Sequence, residues 1–444
     1  MKEVRILTIG VSFKGGFHVH GFKELSNKSE IIEVEAPEVV KIPLLQHIGA
    51  PADSLVKKGD LVKVGQKIGE LSGFISSSVH SSVSGEVLKV EETITERGRR
   101  VNTVFIQNDG KYELGYEPVD RKLEDISSKE IVHIIKEAGI TGLGGASFPT
   151  HIKMSPAEDK KIDTVIINAA ECEPYLTADD MLMRTKPEQV IGGLKLAMKA
   201  VKAEKGYITI EDNKPEAIES MKNAIDSDAI EVVVAKTKYP QGDEKRIIDV
   251  TVNRQVPSGG LPADVGVIVT NAATSNAIYE AVYFNKPLYE RIVTFTGQAM
   301  NKPTNALIKI GTPIDYAVEQ VGGFKENIGK LVLGGPMMGV AQYEVGVPLE
   351  KANNGVLAMT IEEAKFDEPS PCIKCARCVD VCPVGLMPFK LEAIVNKTSA
   401  DMAKENNIMD CIECGSCSYI CPAKRPLVET IRIGKNEVRK LKVK

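Results

Sequence analysis

The sequence predicts a multidomain fold that combines β and α/β domains, and three observations support this prediction. Residues 31–108 hold short alternating apolar runs between glycine-bearing turns, a pattern typical of β structure. From about residue 124, helical and strand-like patterns alternate, which indicates a mainly parallel sheet covered by helices. Eight of the nine cysteines then lie between residues 372 and 421. A chain of 444 residues is long enough for about two to four domains.

Composition excludes several classes of protein. Hydrophobic residues make up 43% of the chain and charged residues 26%, as in ordinary globular proteins. A net charge of −4 and the absence of tryptophan argue against a nucleic-acid-binding surface. No apolar run approaches the roughly 18 residues of a membrane helix, and the apolar start at 1–13 shows no cleavage-site pattern. We therefore expect the chain to stay in the reducing cytoplasm, with any membrane contact peripheral.

The β-rich segment is predicted to form strands at 31–36, 39–44, 61–64, 83–90 and 101–107. Segments 56–66 and 81–87 resemble the two halves of a biotinyl/lipoyl-type barrel-sandwich hybrid. Members of that family carry a cofactor on a lysine at a hairpin tip, but the matching tip here, Ser81-Ser82-Val83-Ser84, has no lysine. The resemblance implies the fold without a swinging-arm cofactor, and we expect the segment to have a structural or docking role.

The α/β part begins at a predicted capping box formed by Ser127 and Glu130. An apolar stripe at Ile131, Ile134, Ile135 and Ala138 predicts a helix that ends at Gly139. Further along the chain, strands are predicted at 164–170, 207–210, 231–236 and 265–270, and helices at 187–204, 215–225 and 274–283.

A polar loop follows each predicted strand, at 168–175, 211–215, 239–245 and 271–276. Parallel strands place such loops on one edge of the sheet, and open α/β sheets bind their ligands at that edge. The side chains of these loops can donate hydrogen bonds to a heterocycle and a sugar, or accept them. One such loop is only a turn, but four on one edge favour a binding site.

Ahead of these loops lies a glycine-rich segment, 141–153, whose backbone N–H groups can close on phosphate oxygens. Its wider sequence resembles the GRGGAGFPTGLKW loop of the flavin-bearing, NADH-binding subunit of respiratory complex I. Leu143 stands where that loop has Arg, and Ser147 stands where it has Gly. The matching residues are Gly142, Gly144, Gly145, Ala146, Phe148, Pro149, Thr150 and Lys153.

Two further motifs of that family have counterparts. The CNADEMEPG motif is matched at Asn168, Glu171, Glu173 and Pro174, with Ala170 in place of Asp, and the NNVET motif is matched only at Asn271 and Thr274. The resemblance implies a Rossmann-like domain with FMN on residues 142–153, contacted by Asn168 and Asn271. It also implies that Lys153 places positive charge near the phosphate or the reduced ring. Glu171 and Glu173 either orient the flavin or nicotinamide ribose or cap the loop backbone, and we assign the catalytic roles to Glu171 and Lys153.

Residues 288–356 predict a small α/β unit, with strands at 291–297 and 331–333 and a helix at 313–321. It resembles the ubiquitin-like (SLBB) module that follows the flavin domain in the complex I subunit. We interpret Met337 and Met338 as core filler. The basic stretch at 424–444 is interpreted as a solvated helix face, with a lipid or partner contact as the alternative.

The cysteines form two runs that both read C-x2-C-x2-C-x3-C-P. In two-cluster ferredoxins the fourth cysteine of each run ligates the other cluster. On that pattern Cys372, Cys375, Cys378 and Cys421 hold one 4Fe–4S cluster, and Cys411, Cys414, Cys417 and Cys382 hold the second. Zinc sites and disulfides are the alternatives, but zinc favours CxxC pairs or Cys/His mixtures, and disulfides favour small secreted chains.

Three polar residues stay outside these motifs. His18 and His20 follow a glycine pair and are interpreted as part of a surface turn, with metal binding as the alternative, because no carboxylate or cysteine nearby completes a ligand set. Cys172 is interpreted as a buried small apolar side chain rather than a redox group, because no partner thiol lies near it in sequence.

The order of all these motifs resembles the RnfC family, the C subunits of Rnf complexes, which are ferredoxin:NAD⁺ oxidoreductases that pump Na⁺ or H⁺ across the bacterial membrane. The resemblance implies FMN, NAD(H) as substrate, and two 4Fe–4S clusters in a peripheral subunit on the cytoplasmic face of the cell membrane. It also implies partners: the other Rnf subunits, including membrane subunits and a ferredoxin-like B subunit, and ferredoxin indirectly. The implied domains are a barrel-sandwich hybrid (1–120), an FMN/NADH domain (121–287), an SLBB-like module (288–358) and a helical two-cluster ferredoxin domain with a basic tail (359–444).

Two other functions remain open. A related soluble reductase, of the cobalamin-reductase or proline-reductase-associated type, shares the flavin and cluster motifs but passes electrons elsewhere. A non-enzymatic electron-carrier module would keep the clusters with a vestigial flavin site, which the departures at Leu143, Ser147 and Ala170 leave open.

Overall fold

The computed structural model describes residues 11–397 and 399–441 of the chain. Most of the apolar start considered above, 1–13, and the last three residues of the basic stretch, 442–444, lie outside the described residues. The fold is mixed α/β, with four β-sheets followed by a helical C-terminal region.

The N-terminal β domain consists of two antiparallel sheets. One has the strand order Val39–Pro43, Arg100–Asn108, Gly85–Ile94, Leu61–Val62, and the other has the order Asp53–Ser54, Lys67–Glu70, Val79–His80. Alternate residues such as Val40 and Ile42 point into a common core. The lysine-free tip is buried, and the Ser82 hydroxyl donates to the carbonyl of Ile310. The tip therefore packs against the rest of the chain instead of presenting a side chain to solvent.

The central domain is built on a parallel four-stranded sheet with the order Ile230–Ala235, Lys205–Glu211, Thr164–Ala169, Val267–Asn271. The helices are Ser128–Glu137, Thr150–Lys153, Ala178–Thr185, Pro187–Val201, Pro215–Ala224, Glu244–Val252 and Ala272–Phe284. The capping box of Ser127 and Glu130 is present, and the first helix gives way to Gly139 at φ +65°. The helices starting at Ala178 and Glu244 were not predicted, because their first turns are charged and follow segments that resemble polar loops.

A six-stranded sheet forms the third unit, with the order Ile31–Glu33, Thr304–Lys309, Glu290–Thr296, Gly355–Thr360, Ile328–Leu333, Val340–Ala341. The helix Ile314–Gln320 packs on it. The strand Ile31–Glu33, expected in the N-terminal β domain, instead pairs in parallel with Thr304–Lys309. The physical reason is burial, because Val34 belongs to the apolar core around Val293 and Phe295.

The C-terminal region is helical, and its helices are Arg377–Asp380, Pro388–Val395, Ala400–Glu405, Ser416–Ile420 and Leu427–Leu441. The last helix covers most of the basic stretch, but only one of its faces is solvated, since Ile431 and Val438 are buried and the Lys435 side chain is enclosed. Within the described part of the chain, no helix is both long enough and apolar enough to cross a membrane.

Candidate functional site

The carboxyl ends of the two adjacent strands Thr164–Ala169 and Val267–Asn271 bring two predicted site residues together. Asn168 and Asn271 are paired in the sheet register. Asn168 Nδ2 donates to the carbonyl of Gly242, 2.8 Å away. Asn271 Oδ1 accepts from the backbone N–H groups of Ala273 and Thr274, so this side chain caps the following helix. The loops after three different strands therefore meet at this edge.

The glycine-rich segment lies on the N-terminus of that helix. The Leu143 N–H donates to Thr274 Oγ1 at 2.8 Å, and a Cβ atom added at Gly144 would lie 3.1 Å from Asn271. Gly145 has φ +140°, and a Cβ atom added there would meet no heavy atom within 4 Å. The glycine backbone carries no side chains here, and it lies beside a helix N-terminus, where anions are stabilised. The segment can therefore accommodate a phosphate group. Gly142, Gly144, Gly145 and Thr274 thus share one location.

The Lys153 side chain lies between the strand Val267–Asn271 and the start of the helix Glu244–Val252. Its Nζ donates to Glu244 Oε1 at 2.6 Å and to the carbonyl of Val269 at 3.0 Å. The side chain is about one third exposed. The ion pair holds the ammonium group in place while leaving part of it accessible to a ligand.

Glu171 has a structural contact for each carboxylate oxygen. Oε1 accepts from the Asp179 N–H at 2.8 Å and Oε2 from the Asp180 N–H at 3.2 Å, so Glu171 caps the helix Ala178–Thr185. The residue itself lies at φ +42°, which holds its backbone in a sharp turn.

Asp179 and Asp180, which the sequence motifs did not mark, are buried beside Glu171. Asp179 Oδ2 accepts from Asn271 Nδ2 at 2.6 Å. Burial, with the nearby Glu171 carboxylate adding to it, raises the pKa of Asp179 to about 7 and the pKa of Asp180 to about 6. Both carboxyl groups are therefore more readily protonated than an exposed aspartate.

Glu173 connects the sheet edge to the third unit. Its Oε2 accepts from the Met337 N–H at 3.1 Å, while its enclosed Oε1 has no hydrogen-bond partner among the described residues. Burial raises the pKa of Glu173 to about 7, although the N–H groups of Met337 and Met338 act in the opposite direction. The expectation that the Met pair fills a core is wrong for Met338, which is 51% exposed, whereas Met337 is half-buried.

Two buried lysines hold the loop that carries Glu171 and Glu173. Lys23 Nζ donates to the carbonyls of Glu171 (2.7 Å), Glu173 (3.1 Å) and Leu176 (2.7 Å), and burial lowers the pKa of Lys23. Lys214 Nζ donates to the Ala170 carbonyl at 2.6 Å. Lys214 lies in a loop that the sequence marked as polar. Lys23 had no such signal, because it lies 148 residues from its first partner.

The cysteines surround two separate hollows. One is lined by Cys372, Cys375, Cys378 and Cys421, and the other is lined by Cys382, Cys411, Cys414 and Cys417. We call these set 1 and set 2. Cys372 and Cys375 of set 1 are exposed, whereas Cys414 and Cys417 of set 2 are buried. That these sulfurs ligate clusters stays a prediction.

The donor chemistry of both sets fits iron–sulfur clusters. Backbone N–H groups point at cysteine sulfurs in each set, from Lys374 to Cys372 and from Leu386 to Cys382, and such contacts tune cluster potentials. Burial raises the pKa of Cys411 to about 11, so a thiolate there needs a strong cation such as iron. By contrast, within residues 11–397 and 399–441, no group of three His, Cys, Asp or Glu side chains has the arrangement needed to hold a single metal ion.

His18, His20 and Cys172 each have a separate partner. His18 Nδ1 faces the carbonyl of Thr237 at 3.4 Å, and His20 Nε2 faces Glu24 Oε1 at 3.1 Å. The Cys172 sulfur accepts from the Gly242 N–H at 3.2 Å, and burial raises the pKa of its thiol.

Four family descriptions match the chain in succession. The RnfC barrel sandwich hybrid domain matches residues 11–111, and the Nuo51 FMN-binding domain matches residues 135–280. The SLBB domain matches residues 292–341, and the 4Fe–4S dicluster domain matches residues 364–422. The matches agree with the predicted fold classes and with FMN and 4Fe–4S clusters as cofactors.

Full-length relatives share one designation, that of the C subunit of an ion-translocating complex. The C subunit of the Na⁺-translocating ferredoxin:NAD⁺ oxidoreductase of Acetobacterium woodii is 48% identical, over 96% of this chain and 97% of its own. The proton-translocating counterpart of Clostridium ljungdahlii is 45% identical, over 96% and 94%. The C subunit of the ion-translocating oxidoreductase of Rhodobacter capsulatus is 39% identical, over 96% and 83%. Among solved structures, an air-oxidized NAD⁺-reducing NiFe-hydrogenase matches at TM-score 0.49 and 16% identity, over 71% of this chain and 61% of that chain.

Proposed function

Because the chain belongs to the family of C subunits of ion-translocating oxidoreductase complexes, we propose that it transfers electrons between NAD(H) and the iron–sulfur partners of an Rnf-type complex. The observation that carries the proposal is the position of cysteine set 2 directly against the ligand edge of the parallel sheet. Tyr239, from the loop after the strand Ile230–Ala235, donates its hydroxyl hydrogen to the carbonyl of Cys414 at 2.8 Å. One chain therefore joins a nucleotide-type edge to a cysteine-lined hollow.

The chain's own residues would bind and orient both the flavin and the nicotinamide. The bare backbone at Gly144 and Gly145 would hold the phosphate, and the Lys153–Glu244 pair would place a fixed cation beside it. Asn168 and Asn271, at the ends of two adjacent strands, would contact the ligand and fix its distance from the sheet. The chemistry supplied by a bound flavin is conversion between hydride transfer with NAD(H) and single-electron transfer with the clusters.

Of the acidic residues of the site, Glu173 would exchange a proton and Glu171 would help to position the nicotinamide. The enclosed Oε1 of Glu173 has an unused hydrogen-bonding position, and at a pKa of about 7 the group can donate or accept a proton there. Glu171 would keep the turn in place through its bonds to the Asp179 and Asp180 N–H groups. The catalytic assignment of Glu171 and Lys153 thus becomes one of positioning charge at the ligand edge.

The two cysteine sets would have different positions along the electron path. Set 2 touches the ligand edge through Tyr239, and Arg246 donates to the carbonyl of Pro383 at 3.0 Å, one residue after Cys382. Set 1 instead exposes Cys372 and Cys375 at the surface. A cluster at set 2 would therefore exchange electrons with the flavin site, and a cluster at set 1 would exchange them with a partner protein.

The relatives' names say that their complexes move Na⁺ or H⁺. We extend this coupling to the complex that contains this chain. Its partners would be membrane subunits and a ferredoxin-like B subunit, with ferredoxin reached indirectly, and the chain would sit peripherally on the cytoplasmic face of the membrane. The domain boundaries at 120, 287 and 358 stay part of this proposal.

Co-purification tests the proposal against its alternatives. A tagged chain is expressed in its own host, purified without oxygen from gently solubilised membranes, and assayed for flavin, iron, sulfide and associated proteins. We expect integral membrane subunits to co-purify and NADH to reduce both flavin and clusters. Recovery from the soluble fraction with an active flavin would indicate a soluble reductase instead. Clusters without acid-extractable flavin would indicate an electron-carrier module.

A further inference from the structure

The glycine pair near the N-terminus lies between the ligand edge and cysteine set 2. Residues 11–18, which we call the strap, run beside the segment that follows the strand Ile230–Ala235. Val11 forms a parallel bridge with Ala235, and Phe17 forms an antiparallel bridge with Tyr239. The Phe17 N–H donates to the Tyr239 carbonyl at 3.0 Å, and the Tyr239 N–H donates to the Phe17 carbonyl at 2.9 Å. The strap is thus fixed to the central domain by backbone hydrogen bonds.

The other side of the strap contacts the cysteine-bearing region. The Gly16 N–H donates to the carbonyl of Val381 at 2.9 Å, one residue before Cys382. The Phe17 ring stacks on the Tyr419 ring, with centroids 5.0 Å apart and an interplanar angle of 20°. Backbone and aromatic contacts therefore join the strap to both runs of cysteines.

Positions 15 and 16 require glycine for two reasons: the backbone has a positive φ, and neighbouring backbone atoms leave no room for a Cβ atom. Gly15 has φ +85°, and a Cβ atom added there would lie 2.6 Å from the carbonyl oxygen of Cys382. Gly16 has φ +65°, and a Cβ atom added there would lie 2.6 Å from the carbonyl oxygen of Tyr239. Both neighbours are backbone atoms, which cannot rotate away as a side chain would. Any larger residue must therefore move the strap, the Cys382 loop or the Tyr239 loop.

From these contacts we infer that the strap is a positioning element that sets the separation between the flavin site and the set 2 cysteines. It acts through Gly15 on Cys382 and through Phe17 on Tyr239, whose hydroxyl reaches Cys414. The inference rests on the proposed function, because it assumes that electrons pass from the flavin site to set 2. On that path NADH would give up two electrons and a proton as it becomes NAD⁺, and clusters held by the two cysteine sets would accept the electrons one at a time.

The test separates the two halves of the electron path. Wild-type chain and G15A, both purified anaerobically with their cofactors, are mixed rapidly with NADH, and flavin absorbance and the EPR signal of reduced clusters are followed separately. In G15A we expect flavin reduction at the wild-type rate and cluster reduction severalfold slower, because a larger separation between the flavin site and the set 2 cysteines lowers the rate of electron transfer between them. Iron, sulfide and flavin contents should equal those of wild type.

The control is G110A in the N-terminal β domain. Gly110 has φ +69°, so alanine there meets similar backbone strain, but a Cβ atom would meet no heavy atom within 4 Å. G110A should match wild type in both rates. If G15A also matches wild type in both rates, the strap inference is wrong. If wild type itself shows no transfer from flavin to clusters, the proposed function fails and the strap has no path to position.

A second variant decides the case in which G15A does not assemble its clusters. F17L keeps an apolar side chain but removes the ring that stacks on Tyr419. We expect F17L to retain both clusters and to show the same selective slowing of cluster reduction, to a smaller extent. Equal slowing of flavin and cluster reduction in F17L would contradict a positioning role.

Discussion

Replacement of Lys23 by methionine tests how the chain builds its ligand edge. Lys23 Nζ donates to three backbone carbonyls of the loop that carries Glu171 and Glu173, and the side chain is buried. Methionine has a similar length but no donor. Three unpaired carbonyls at about 1–3 kcal/mol each sum to about 3–9 kcal/mol. Burial of the ammonium group itself costs several kcal/mol of desolvation free energy, so its removal offsets part of this destabilisation. We therefore expect the free energy of unfolding to fall by about 2–4 kcal/mol.

Thermal unfolding measures this loss, since a domain of this size changes its Tm by about 2–4 °C per kcal/mol. K23M should therefore melt about 5–15 °C lower than wild type. It should also bind NADH and flavin more weakly, because the loop with Glu171 and Glu173 is no longer fixed. The control is K57M, whose side chain is 86% exposed and whose pairing with Asp60 is expected to contribute less than about 1 kcal/mol. A K23M protein that melts and binds like K57M would show that the three carbonyl bonds do not hold the loop.

Three further predictions follow from the cysteine sets and the buried acid. C421A should lose the cluster at set 1 and C382A the cluster at set 2, so that each retains about four of about eight iron atoms; loss of the opposite cluster by EPR would show the pairing to be wrong. Because burial raises the pKa of Glu173 to about 7 from 4.5, the folded chain binds the extra proton between these values. The contribution of Glu173 to stability should therefore fall as pH rises through this window, by up to about 1.4 kcal/mol per pH unit, and in urea unfolding E173Q should lose this contribution while those of Asp179 and Asp180 remain. Y239F, which removes the hydroxyl bond to Cys414, should cost about 1 kcal/mol and shift the potential of one cluster only; an equal shift in both clusters would contradict the placement of Tyr239.

Much of the fold could be predicted because its helices and strands follow from local sequence patterns. Ser127 and Glu130 mark a helix start by their spacing, and the parallel strands read as short apolar runs. The pairing of the strand Ile31–Glu33 could not be predicted, because its partner Thr304–Lys309 is distant in sequence and pairing register leaves no local signal. The helix that starts at Glu244 has no clear sequence signal, because Asp243, which caps it, and the neighbouring residues resemble a polar loop.

Some residues of the candidate site could likewise be predicted from local sequence patterns, and others could not. Asn168, Asn271 and Thr274 could be predicted as candidates because each follows or caps a regular element, and the structure brings the three residues to one edge. Lys23 could not be found from sequence, since a single lysine near a chain start shows neither its burial nor its carbonyl partners. The contact between Gly15 and Cys382 was equally hidden, because it depends on how two distant segments approach in space.

Hydride taken from NADH should leave this chain as single electrons through two clusters. The most direct test is to assay anaerobically purified chain for flavin, iron and sulfide, and then to titrate it with NADH under visible and EPR spectroscopy. We expect about eight iron atoms per chain and reduction of flavin and clusters together. Zinc or an absence of inorganic sulfide at the cysteines, or a flavin that bleaches while the clusters stay oxidised, would contradict this electron path.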